Sequence, residues 1–312
     1  SDPELATAIE ESLKSYKEQS TRRTNYGTSS ASDYDRRPIP APGMEYATQN
    51  SWDQAYSYNY KGYGTAKCCS CKRLEPNDGN YISYSDGQTQ DRKICRECFA
   101  TAVLDTKSSK SLVQNVLQFY EHLGMRISRE IPVYMVDEGE LRRNSRENTH
   151  PGMPILGLSV HAQKYVTLIK KASLQERGRV VVAKETHEYY NNTRMVLLLF
   201  GLPKLMTGAI LAHEFMHMWL RLKGVPNGKL DPRIEEGIAQ VMGYMWLDWF
   251  EQGEASSGSI EEAKYLRYLK RIYKQEVESL PDPVYGDGFR HIHREVERHG
   301  LTYVINNILQ SD

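Results

Sequence analysis

The reading turns on His213-Glu214-Phe215-Met216-His217. The pentapeptide sits in a largely apolar stretch, Leu205–Leu222, that reads as one helix. On a helix, residues four apart are neighbours on one face. His213 and His217 can therefore each offer an imidazole nitrogen to one zinc ion. Glu214 stands beside the first of them and can reach a water held there.

A second helix, Pro232–Phe250, follows, with Asp231 placed as N-cap and Pro232 at the first helical position. Glu235 and Glu236 lie in its first turns, just before Gly237. Such a carboxylate pair either complements the helix dipole or supplies a third metal ligand. Eighteen residues separate His217 from Glu236, a spacing similar to the two-helix zincin arrangement in which a Glu before a Gly closes the ligand set. We take Glu236 as the ligand and Glu235 as its support from outside the coordination sphere; Glu235 as ligand is the alternative. Two His, one Glu and an open position are a catalytic zinc set. Glu214 is then the general base that takes a proton from the zinc-bound water and returns it to a leaving amine. An oxyanion needs a further donor. The candidates are Tyr285, in Val284-Tyr285-Gly286-Asp287-Gly288-Phe289-Arg290, then His291 and His293. Tyr285 could instead simply pack in a turn. The two histidines, two apart on a helix, cannot both face one metal.

All five cysteines fall between Cys68 and Cys98. Two CxxC turns, Cys68/Cys71 and Cys95/Cys98, are separated by 23 residues. Each turn aims two thiolates at one point, and two turns complete a tetrahedron around a structural Zn2+ with no open position. Cys69 is left over. An odd, crowded set fits metal-bound thiolates in a reducing compartment better than a secreted disulfide framework.

The remaining chain divides by composition. The 312 residues carry 40 Lys+Arg and 40 Asp+Glu, a formal net charge of +0, so charge offers no argument for nucleic acid or a membrane surface as partner. Nor does the cysteine segment carry a dense basic face. The longest apolar run, Met195–Leu202, is too short for a membrane span. Mean hydropathy is −0.62, which points to a polar, extended portion beside a real core. Glu4–Tyr16 reads as a short acidic helix, and Ser20–Ala66, rich in Tyr, Ser, Gly and Pro, as a linker. Helices are also expected at Ser111–Leu123 and Glu261–Glu278, and strands at Ile131–Val136 and Val180–Ala183. Ser256-Ser257-Gly258-Ser259 reads as a loop.

The segments HEFMHMWLRLKG (213–224), EEGIAQ (235–240), VYGDGFR (284–290), FGLP (200–203) and CCSCKRLEP (68–76) together resemble the plant DA-one and DA-one-related family. The resemblance runs from about Ala66 to Asn307. It implies a ubiquitin-regulated zinc metallopeptidase that limits organ growth, with a latent activity switched on by ubiquitylation. Implied substrates are regulators of proliferation and components of ubiquitin ligation. The implied fold class is α+β: a small four-cysteine zinc LIM-like module followed by a mainly helical zincin-type peptidase domain. Members commonly carry a full LIM domain further upstream, whereas Ser1–Lys67 here has neither Cys nor His. Beside this resemblance the first helix reads as a ubiquitin-interacting motif. Leu5, Ala8, Ile9 and Ser12 would face ubiquitin, with Ala8 small enough for close approach. The expected organisation is a ubiquitin-interacting helix (1–20), a Tyr-rich linker (21–66), a LIM-like module (67–104) and a peptidase domain (105–312). Two zinc ions, one catalytic and one structural, and a cytoplasmic or nuclear location complete the expectation. The rival reading is a catalytically silent ubiquitin-binding LIM-like adaptor.

Overall fold

The computed structural model describes residues 66–76, 79, 81–85, 92–127, 131–145, 154–161, 165–189, 194–254 and 259–310. The expected ubiquitin-interacting helix, with Leu5, Ala8, Ile9 and Ser12, lies outside the described residues. So does the linker up to residue 65.

The central layer is a three-stranded sheet of order β4-β8-β5, formed by β4 (Val133–Val136), β5 (Gly157–His161) and β8 (Arg194–Leu199). β4 runs parallel to β8, and β5 antiparallel to it. Met195–Leu199 is buried at every position, which explains its unbroken apolar run: a central strand is covered on both faces. The stretch Met195–Leu202 is therefore sheet core. Among the described residues, no helix is long and apolar enough to cross a membrane.

A second sheet has the order β2-β1-β7-β6. It joins the cysteine segment's hairpin, β1 (Ile82–Ser85) and β2 (Arg92–Ile94), to a long later hairpin, β6 (Tyr165–Gln175) and β7 (Arg179–Glu188). The joint is a parallel pairing, Ser83 opposite Arg179. Short helix α1 (Arg96–Ala100) and strand β3 (Ala102–Val103) follow the second CxxC, and β3 pairs with β9 (Leu202–Pro203). β9 leads directly into the helix that carries the His pair. Gly201, at φ 80°, is packed so tightly that a Cβ there would lie 2.6 Å from the Tyr84 ring. Tyr84 Oη donates to the Gly201 carbonyl at 2.8 Å, and Arg92 Nη2 to that of Phe200 at 2.9 Å. The hairpin beside the cysteines thus holds the approach to that helix.

Helices α2 (Lys110–His122) and α3 (Glu138–Asn144) precede the main bundle of α4 (Lys204–Leu222), α5 (Pro232–Glu254), α6 (Ile260–Ser279), α7 (Tyr285–His299) and α8 (Leu301–Gln310). The expected helices that fall among the described residues recur with ends shifted by a few residues at most. Strand Val133–Val136 falls inside the expected Ile131–Val136, whereas Val180–Ala183 is only part of β7. The described part is mixed α/β, in line with the expected α+β class, and from residue 105 onward most of its regular structure is helix. The strands that went unread are either continuous apolar runs, as in β8, or polar ribbons with weak alternation, as in β6.

α4 is apolar nearly all round and accordingly buried on almost every face. It packs on β5 and β8 on one side and on α5 on the other. Asp231 caps α5 as expected, its carboxylate accepting from the Arg233 N–H at 2.9 Å. The α4–α5 crossing is close because Gly208 leaves room for the fully buried Trp246 indole; a Cβ at 208 would lie 2.1 Å from Trp246 Cη2. Gly208→Ala should therefore force the indole aside and cost about 1–3 kcal/mol, read as a lower urea midpoint. An unchanged midpoint would show that the crossing tolerates the methyl group.

Candidate functional site

α4 and α5 bring the predicted ligands together. His213 Nε2 and His217 Nε2 lie 3.1 Å apart. Glu236 Oε2 lies 3.2 Å from the first and 3.5 Å from the second. The three ligand atoms all fall within 4.8 Å of one another, as a shared cation requires. Among the described residues, the buried Glu236 Oε2 has no hydrogen-bond partner, which leaves an acceptor beside the two imidazoles where a cation would sit. Nitrogen and carboxylate donors of this kind suit Zn2+. Burial raises the Glu236 carboxyl, but His217 and His213 outweigh it and hold it well below the ordinary range. For His217, burial works downward, yet Glu236 and Glu235 push it well above the usual imidazole value. The carboxylates thus favour a cationic partner at these imidazoles, a place a metal ion would fill in competition with a proton.

Glu235 sits elsewhere. Its Oε1 faces His217 Nδ1, on the far side of the ring, at 3.0 Å, and also accepts from Arg221. Of the two assignments left open, the geometry puts Glu236 with the Nε2 atoms and Glu235 behind them. Glu214 is buried against β5, where a Cβ at Gly157 would lie 3.0 Å from its Oε1. Burial pushes its carboxyl up; His213 and His217 oppose this, Glu236 adds to it, and the Ser159 backbone hydrogen bond opposes it.

The three acids and two imidazoles line a cleft of about 940 Å³. One wall is β5, whose outer edge has no partner strand among the described residues. The opposite wall is formed by α6, residues 279–281 and Tyr285. Tyr285 reaches the cleft because α7 crosses α5 closely: a Cβ at Gly237 would lie 2.5 Å from the Gly288 carbonyl oxygen. Burial raises the Tyr285 hydroxyl, and Glu236 and Glu214 raise it further, so it is a proton-bearing donor. His291 and His293 line a separate groove with Arg233 and Arg294. His293 stacks on Phe289 at 5.0 Å. Of the three late candidates, only Tyr285 shares the cleft with Glu214.

The second group is Cys68, Cys71, Cys95 and Cys98, all buried, with sulfur atoms within 4.8 Å of one another. Cys69 Sγ is outside it, 3.7 Å from Ser70 Oγ. Four thiolates around a divalent cation would carry surplus negative charge. Arg73 answers it, donating from Nε to Cys71 Sγ and from Nη2 to Cys95 Sγ, both at 3.1 Å. Backbone N–H groups of Cys95 and Cys98 donate to Cys68 Sγ and Cys95 Sγ at 3.4 Å. The reading from sequence missed Arg73 and Arg221. The position of Arg221, one helical turn after His217, was the available signal.

This is a mixed α/β chain with, among the described residues, two groups of side chains, one of four sulfurs and one of two nitrogens and an oxygen, each able to hold a metal ion. The family profile described as "DA1-like: Protein DA1" matches residues 122–311, and the chain belongs to that family. It is 37% identical to Protein DA1 of Arabidopsis thaliana over 286 residues, 85% of this chain and 52% of the relative. It is 34% identical to Protein DA1-related 1 of the same plant over 292 residues, 86% of this chain and 52% of the relative. It is 31% identical to LIM domain-containing protein HDR3 of Oryza sativa subsp. japonica over 294 residues, 85% of this chain and 57% of the relative. The chain thus spans about half the length of these curated relatives. No solved structure matches it.

Because the four sulfurs are buried within the continuous core, losing one should cost both metal binding and stability. Cys98→Ser is expected to lose one bound zinc per chain and more than about 3 kcal/mol of stability. Metal analysis alongside denaturant unfolding reads both. Full zinc content in that variant would remove the four-sulfur assignment.

Proposed function

We propose that the chain is the peptidase-bearing part of a ubiquitin-regulated, zinc-dependent endopeptidase acting on intracellular regulatory proteins. The observation that carries the reading is the orphaned, buried Glu236 Oε2 set against the two Nε2 atoms of His213 and His217, beside a buried Glu214. His213, His217 and Glu236 are the ligands of a catalytic zinc; the four cysteines hold a structural one in a LIM-like module. When bound, the catalytic ion acts as a Lewis acid that acidifies a water and polarises a carbonyl.

The chain's own groups do the rest. Glu214 takes the proton of the attacking water on its carboxylate and gives it to the leaving amine nitrogen. Tyr285 donates its hydroxyl proton in a hydrogen bond to the carbonyl oxygen as that oxygen gains charge. The outer edge of β5 accepts the substrate backbone as an added strand, which favours an extended, unfolded segment of a protein. Leu5, Ala8, Ile9 and Ser12 are the residues that bind ubiquitin. Ubiquitin and proteins that govern proliferation or ubiquitin ligation are the partners, in the cytoplasm or nucleus.

The test is cleavage of candidate growth and ubiquitin-pathway regulators, with and without prior ubiquitylation of the chain. Glu214→Gln should keep both metals and lose cleavage by about 10²–10⁴-fold. Cleavage at the wild-type rate by Glu214→Gln would remove the mechanism. Equal rates with and without ubiquitylation would remove the regulation.

A further inference from the structure

Arg221 belongs to the last turn of α4, four residues after His217. Its side chain is only 13% exposed and that of Glu235 12%, so their contact is largely shielded from water. Nη2 donates to Glu235 Oε1. Nη1 donates to the carbonyl oxygens of Val225 at 2.8 Å and Pro226 at 2.9 Å, in the connection between α4 and α5. One planar guanidinium therefore ties the end of α4, the connection and the first turn of α5. These are the elements that carry His213, His217 and Glu236.

The same Glu235 oxygen faces His217 Nδ1 at 3.0 Å. A carboxylate only accepts, so His217 must present N–H there. With Nδ1 so engaged, Nε2 is the nitrogen left for a metal. Glu235 is next in sequence to Glu236 and shares the cleft with Glu214, so without a cation behind it this carboxylate would be one of three clustered acids. An acid in that position lowers its energy by turning toward solvent, and its hold on the imidazole goes with it.

We propose that Arg221 is a positioning residue of the metal centre. It holds Glu235 against His217, and through that contact it fixes both the ring orientation of His217 and the α4–α5 spacing that brings Glu236 into the set. The inference rests on the three-ligand reading above and goes beyond it, because Arg221 touches no candidate ligand directly in this role. A lysine would supply the charge but not the forked donors that reach Glu235 and two carbonyls together.

The experiment titrates zinc into the full chain against a competing chelator, for the wild type, Arg221→Met and Arg221→Lys, with His217→Ala as the reference lacking the site. Wild type should bind two zinc ions. Arg221→Met should weaken only the site absent from His217→Ala, by about 10–100-fold. Arg221→Lys should recover part of that loss. Glu235→Ala combined with Arg221→Met should be no weaker than Glu235→Ala alone, since both act through one link. Wild-type affinity in Arg221→Met, or fully additive losses in the double variant, would overturn the proposal. Should Arg221→Met fail to fold, Arg221→Lys decides: severalfold weaker binding supports it and unchanged binding overturns it. A wild type that holds only the cysteine-bound zinc would instead remove the three-ligand reading itself.

Discussion

Everything in the cleft depends on how closely α4 and α5 approach. Gly208 admits the Trp246 indole, and a Cβ at Gly243 would lie 2.7 Å from the Ala209 carbonyl oxygen, so the two backbones nearly touch one turn from His213. That approach sets the imidazoles of one helix against the carboxylate of the next. Three largely buried carboxylates gathered at one cleft are costly unless positive charge offsets them. The imidazoles and Arg221 offset part of it, and a divalent cation would offset the rest. A metal held there would therefore serve the fold as well as any chemistry.

The wall of the cleft opposite β5 is held by two further sets of contacts. Asp282 accepts from the N–H groups of Val284 and Tyr285 at 2.8 and 2.7 Å, which fixes the start of α7 and the Tyr285 side chain with it. On α6, Lys270 pairs with Asp248 at 3.0 Å and with Glu251, and Lys274 pairs with Asp248 at 2.7 Å. This largely buried network clamps α6 onto α5. At the far end Lys72, immediately after Cys71, reaches Glu276 on α6 at 3.4 Å. The cysteine segment is thus joined to the cleft from two directions, through α6 and through the Tyr84–Gly201 contact before α4. Its sheet also pairs with β7, so it is built into the larger fold.

What the sequence revealed was local in character. The His213/His217 pair and the Glu235/Glu236 pair are helical neighbours at short spacing, and helix geometry alone places them. The two CxxC turns are legible for the same reason. Sequence left open which glutamate faces the metal side, because adjacent residues differ by a rotation that only the packing of α5 on α4 sets. It could not choose between Tyr285 and the two histidines, since that choice depends on the α5–α7 crossing at Gly237 and Gly288. The β1–β7 pairing joins residues nearly a hundred positions apart, and no local pattern announces it. Arg73 and Arg221 did not stand out because an arginine's partners are visible only once the chain is folded.

The most direct test of the account is anomalous diffraction at the zinc edge from crystals of the zinc-loaded chain. Two peaks are predicted: one enclosed by the sulfurs of Cys68, Cys71, Cys95 and Cys98, and one bonded to His213 Nε2, His217 Nε2 and a Glu236 oxygen. A single peak among the sulfurs, or a second peak with Glu236 turned away from it, would contradict the claim that α4 and α5 meet to hold a metal.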